Sequence, residues 1–119
     1  MTTNNAVTFQ EKTSRFWILS LVTEVRSDGV YVRLAPIERA FRRLETGAID
    51  SVRVVEYSPT TYQGWHWGLH RTSTGHLVYR LRGNRGVEIT RQDGTRWFVG
   101  SSRPDELRAS VDQLVGPDD

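Results

Sequence analysis

His66 and His70 stand four residues apart in the segment PTTYQGWHWGLHRTSTG, which runs from Pro59 to Gly75. On a helix that spacing would aim both imidazoles at one metal ion. Gly64 and Gly68 argue against a helix there, and the segment contains no carboxylate. His76 follows closely, yet the expected role of these rings is packing or solvent contact, with no metal and no cofactor. The same segment gathers Tyr62, Trp65 and Trp67, with Arg71 just beyond. Aromatic faces beside a guanidinium can stack on a base, a sugar or a partner's proline. Their other use is structural, with at least one ring closing the open end of a β-structure.

Two further clusters invite a chemical reading. The triplet Asn84-Arg85-Gly86 can meet an anion through Arg85 and its backbone amides, or can simply make a turn. Ser101-Ser102-Arg103-Pro104 offers hydroxyls, but no strand with a Gly-x-Ser-x-Gly elbow surrounds them. Ser102 is better explained as a helix N-cap. No phosphate-cradling glycine loop with its lysine is present, and there are no cysteines for thiol chemistry or zinc. The chain is therefore expected to have no catalytic residues and not to be an enzyme. Its candidate partner-binding residues are Tyr62, Trp65, Trp67, Arg71 and Arg85.

Composition narrows the classes. A chain of 119 residues, 37% hydrophobic and 25% charged, describes one ordinary globular domain able to bury a core. Fifteen of its sixteen basic residues are Arg, the exception being Lys12, and the formal net charge is only +2. Arginine favours bidentate phosphate recognition, but fourteen acidic residues are interspersed and no basic block forms. A strong field for polyanions is not expected. The first fifteen residues, MTTNNAVTFQEKTSR, have no apolar core for a signal peptide. The longest apolar run, FWILSLV from Phe16 to Val22, is far short of the roughly 20 residues that span a bilayer.

These side chains need a scaffold, and the alternation of apolar residues supplies one. Residues 1–14 are polar and expected as a flexible tail, followed by a domain over 15–116 and a C-terminal tail at 117–119. LVTEVRSDGVYVRL reads as a β-hairpin turning on Asp28-Gly29. That register sets Val25 opposite Val32, Thr23 opposite Leu34 and Glu24 opposite Arg33. Pro36 interrupts, and Arg39 to Leu44 is a third strand. ETGAID is a turn that sends Ile49 inward. Ser51 to Ser58 is a fourth strand, with Val52 and Val54 on one face and Arg53 and Val55 on the other.

HLVYRLR begins a meander of three strands. A three-residue loop at Asn84-Arg85-Gly86, with Gly86 left-handed, puts Leu81 opposite Ile89. The same geometry at Gln92-Asp93-Gly94 puts Ile89 opposite Trp97 and Val87 opposite Val99. Tyr79, Leu81, Val87, Ile89, Trp97 and Val99 then share one face, whereas a two-residue turn at Asp93-Gly94 would scatter them. Pro104 opens a helix whose Leu107, Val111, Leu114 and Val115 form one apolar stripe. Gly116-Pro117 ends it.

Four strands, a meander and a covering helix give the order of a pleckstrin-homology-like (PH-like) domain. TEVRSDGVYVRL, IDSVRVVEYSP, GNRGVEI and GSSRPDEL resemble segments of a family of uncharacterised prokaryotic membrane proteins with such a soluble portion. The resemblance covers roughly residues 20–115. It implies a mostly β (α+β) fold, a seven-stranded bent antiparallel sandwich or partly open barrel with one C-terminal amphipathic helix. Relatives of this type carry transmembrane helices before the first strand. Here FQEKTSRFW runs almost directly into ILSLVTEV, so the transmembrane segment is absent from this chain.

The resemblance implies a non-catalytic interaction module on the cytoplasmic side of a membrane, tethered there in an anchored parent protein. Its expected partners are a protein or anionic lipid headgroups, with self-association through a strand edge as a further possibility. The phosphoinositide mode of eukaryotic PH domains is not expected, because the loop Ser27-Asp28-Gly29 is short and acidic. The alternative class is nucleic-acid binding through Arg and the loop aromatics, which a steep salt dependence would reveal.

Overall fold

The computed structural model describes residues 6–116. In chain order these form β1 (Val7–Arg15), β2 (Leu19–Arg26), β3 (Gly29–Ala35), β4 (Arg42–Glu45), β5 (Ile49–Glu56), β6 (Gly68–Arg71), β7 (Leu77–Arg80), β8 (Arg85–Arg91), β9 (Arg96–Gly100) and α1 (Pro104–Val115). The protein is mostly β, two sheets and a C-terminal helix, and neither sheet closes into a barrel. The first sheet runs β1-β2-β3-β4 and the second β5-β8-β9-β7-β6.

Among the described residues, nine strands replace the expected seven. Val7–Arg15 falls almost wholly within the expected tail, yet pairs antiparallel with β2 from Arg15↔Leu19 to Val7↔Arg26. Its inward positions are Phe9, Glu11 and the half-buried Thr13. With a carboxylate and a hydroxyl facing inward, the strand has no apolar alternation to announce it. The rest of that expected tail, 1–5, and the expected C-terminal tail, 117–119, lie outside the described residues. The second added strand, β6, is cut from the far end of the aromatic segment and pairs with β7.

The β2–β3 hairpin turns one residue earlier than expected. Arg26 pairs with Gly29, and Thr23 with Val32, so the register differs from the expected one by two. A shift of two preserves every side chain's face, and Leu21, Val25, Val30, Val32 and Leu34 are all buried. What changes is the charge pairing. Glu24 lies opposite Tyr31 and takes Arg26 and Gln10 as donors, while Arg33 bonds the Glu38 carbonyl. Gly29 is needed because a Cβ there would sit 2.5 Å from the Leu44 carbonyl oxygen.

The β7–β8 hairpin does not form. β7 pairs parallel with β9, Leu77↔Trp97 to Tyr79↔Val99, and β8 lies on the other side of β9. Gly86 is not left-handed; it is required because a Cβ would lie 2.2 Å from the Val99 carbonyl oxygen. The turn at Gln92-Asp93-Gly94 does form, pairing Ile89 with Trp97 and Val87 with Val99. All six residues expected on one face are in the main core with Leu107 and Val111 of α1. Alternation fixes faces whichever neighbour a strand takes.

The helix start is built differently from the expected Ser102 cap. Ser102 donates to Glu11 of β1, both through its hydroxyl and through its amide at 2.9 Å. Ser101 donates to the other Glu11 oxygen at 2.6 Å and accepts from the Arg103 amide at 2.9 Å. An inward carboxylate on β1 thus ties down the turn that launches α1. Beyond the main core, Tyr57, Tyr62, Val78 and Phe98 form a second one on the opposite face of the second sheet.

Candidate functional site

The β1–β2 hairpin ends in Phe16, Trp17 and Ile18, between the last pair Arg15↔Leu19. Phe16 (φ 57°) and Trp17 (φ 48°) are both left-handed. Tight hairpins ask for that conformation and normally fill it with Asn or Gly; aromatic residues adopt it at a cost. None of the three side chains enters a core. Trp17 is 92% exposed, Ile18 63% and Phe16 57%.

Phe16 meets Trp67 edge-on at 6.2 Å, and the Arg15 guanidinium lies 4.9 Å from the Phe16 ring and 5.0 Å from the Trp67 ring. Arg15 also donates to the Leu81 carbonyl at 2.9 Å, and Arg82 donates to the Ser14 carbonyl at 3.2 Å. These bonds tie the hairpin to the segment before β8. Between them opens a cleft of about 580 Å³ with Leu21, Leu81 and Pro104 among its walls and Arg82, Asn84 and Arg85 on its rim. A recess of about 430 Å³, lined by Arg15, Phe16, Arg82 and Gly83, adjoins it.

The distribution of ion pairs bears on the same end. Eight of the fifteen arginines pair with carboxylates: Arg26, Arg42, Arg43, Arg53, Arg91, Arg96, Arg103 and Arg108. Among the described residues the other seven, Arg15, Arg33, Arg39, Arg71, Arg80, Arg82 and Arg85, have no carboxylate within ion-pair distance, and four of these, Arg15, Arg80, Arg82 and Arg85, stand near the hairpin tip and the cleft. Arg80 instead bonds the His66 and Gly83 carbonyls and the Asn84 side chain, and lies 5.6 Å from the Trp65 ring. Glu56 faces Arg85 across the ladder without an ion pair. Guanidiniums satisfied only by neutral oxygens keep donors for an incoming anion.

Residues 14–116 match a protein family described as a family of unknown function, DUF6141. The chain belongs to that family. The span that matches DUF6141 takes in the hairpin tip, the cleft and the helix. No curated protein and no solved structure matches the chain.

The candidate residues read from the sequence of this DUF6141 member divide. Trp67, half exposed, joins the hairpin tip, and Arg85 lines the cleft. Trp65, 64% exposed, leans on Tyr57 and is linked to the same region through Arg80. Arg71 is exposed at the opposite end of β6 and is not brought in. Tyr62 is fully buried, so it forms no part of any contact surface. It stacks on Tyr57 at 5.5 Å and donates to Glu88 at 2.8 Å. Burial, and then that bond, push its hydroxyl well above the ordinary tyrosine range.

His66 and His70 do meet, ring on ring at 3.5 Å. Stacked imidazoles hold their in-plane lone pairs side by side, which does not converge them on one ion. His76 is engaged elsewhere, accepting from the Arg96 amide at 3.0 Å. The loop Ser27-Asp28-Gly29 holds its carboxylate against the Tyr31 hydroxyl at 2.8 Å, which keeps Asp28 below the usual carboxylate range.

Sequence reasoning missed Phe16, Trp17, Ile18, Arg15 and Arg82. A signal was there. In FWILSLV the alternation of β2 begins only at Leu19, which leaves three large apolar residues belonging to no face.

Proposed function

We propose that this chain is a non-catalytic interaction module of the PH-like type, working at the cytoplasmic face of a membrane. It acts by contact with a protein or with lipid headgroups. The observation that carries this reading is the gathering of exposed aromatics and carboxylate-free arginines around one open cleft. A contiguous apolar patch rimmed by polar groups marks an interaction site on a soluble domain. A four-strand meander, a second sheet and a covering C-terminal helix support the PH-like part. The parallel β7–β9 pair departs from the plain meander that the resemblance implies.

Inverted bacterial membrane vesicles, which present the cytoplasmic leaflet and its proteins, provide the test. The purified protein is expected to float with them in a density gradient. Its absence from the floated fraction would end the membrane reading. Binding to a single-stranded oligonucleotide with a steep salt slope, without flotation, would replace it by nucleic-acid recognition.

A further inference from the structure

We propose that the β1–β2 hairpin tip is a membrane-interface anchor. Phe16, Trp17 and Ile18 enter the boundary between headgroups and acyl chains, while Arg15 and Arg82 hold the phosphates of anionic phospholipids. This rests on the membrane reading above and names the partner and the mode of contact.

The fold buries none of these three residues, and only Phe16 packs on a neighbouring ring, that of Trp67. They are outside both cores, and two of them occupy a left-handed turn that Asn and Gly would fill with less strain. An indole that is 92% exposed at the most protruding point of a hairpin matches the amphipathic rings that settle at bilayer interfaces. Behind the tip, Arg15 and Arg82 have no carboxylate partner among the described residues, and both border the recess beside Phe16. Each donates a hydrogen bond to a backbone carbonyl, and a guanidinium with five N–H donors has others for a phosphate.

The occupant is a bilayer rather than a protein groove or a second copy. Three side chains offer roughly 500 Å², short of the approximately 800 Å² per partner of a stable protein interface. A bilayer needs no matching concavity, and its anionic headgroups answer the charge. Insertion leaves the cleft wall at Arg82 and Arg85 facing the headgroup layer.

The test is sedimentation of the whole chain with vesicles of phosphatidylcholine alone and of phosphatidylcholine mixed with phosphatidylglycerol. Wild type is expected to pellet with the mixed vesicles and to remain in solution with the neutral ones. Trp17→Ser, at a site with no packing to lose, is expected to weaken binding about tenfold. Arg82→Gln, also exposed, is expected to weaken it about fivefold. The proposal is overturned if wild type ignores the mixed vesicles, if both compositions bind equally, or if Trp17→Ser binds as wild type does. Flotation with native inverted vesicles, but no binding to the pure lipid mixture, would sink this anchor while leaving the interaction-module reading standing.

Discussion

Tyr62 and Trp65 are three residues apart, and one is sealed under a loop while the other stands in solvent. The difference lies in a single buried carboxylate. Glu88 accepts from Arg53 at 2.8 Å and from the Tyr62 hydroxyl at 2.8 Å, so Tyr62 can go inside with its polar tip satisfied. Trp65 has no such acceptor and caps Tyr57 from outside. The stacked histidines give a residue-scale prediction. Partial desolvation, and then the charge of His66, hold His70 below the ordinary 6.5. The unfolded chain therefore takes up a proton at this site more readily than the folded one. Stability from His70 is complete above pH 6.5 and is lost as pH falls from there through the folded midpoint. An NMR titration should place that midpoint under the unfolded value, and His66→Gln should raise it only part of the way. A midpoint at or above the unfolded value would contradict the stacked arrangement.

At the scale of elements, two glycines separate turn chemistry from strand proximity. Gly94 has φ 90° and open space around its missing Cβ, so Gly94→Ala is expected to cost about 1–2 kcal/mol of backbone strain. Gly86 has no positive φ, but its Cβ would strike the Val99 carbonyl and the Gly100 Cα, both backbone. Gly86→Ala is expected to cost about 3 kcal/mol or more, because β8 and β9 would have to separate. Urea unfolding of both variants checks this, and equal losses would refute the β8–β9 approach. The elements also show what a sequence can carry. Strands with apolar alternation, the turn at Gln92-Asp93-Gly94 and the helix stripe were legible, because each is a local pattern, although Val115, expected on that stripe, is exposed in the last turn. β1 was not, since Glu11 and Thr13 occupy its inward positions and their partners lie more than eighty residues away or on other strands. The neighbours of β7 were not legible either, as a period of two is blind to which strand lies alongside. Of the candidate site, Trp65, Trp67 and Arg85 could be named in advance. The hairpin tip needed β1 to exist first.

On the scale of the whole molecule, α1 is the joint between the sheets. It packs on β5 and β8 of one sheet and on β1 and β2 of the other, with Leu107 and Val111 fully buried between them. Leu107→Ala is expected to cost about 2–5 kcal/mol and still to melt in one cooperative calorimetric transition. Two resolved transitions would mean that the sheets are separately stable and the helix is not their common element. β7 and β9 are buried on both faces, by the main core on one side and by the Tyr57–Tyr62–Phe98 cluster on the other. The centre of the second sheet is thus the interior of the protein, and the hairpin tip projects from the first.

The four indoles span the full range of exposure, with Trp17 almost bare and Trp97 almost enclosed. Under ultraviolet excitation the tip and the interior therefore emit in different colours, long-wavelength light from Trp17 and short-wavelength light from Trp97. A chain stripped of Trp65 and Trp67 would carry one optical reporter for what happens outside it and another for its own integrity, with no dye attached.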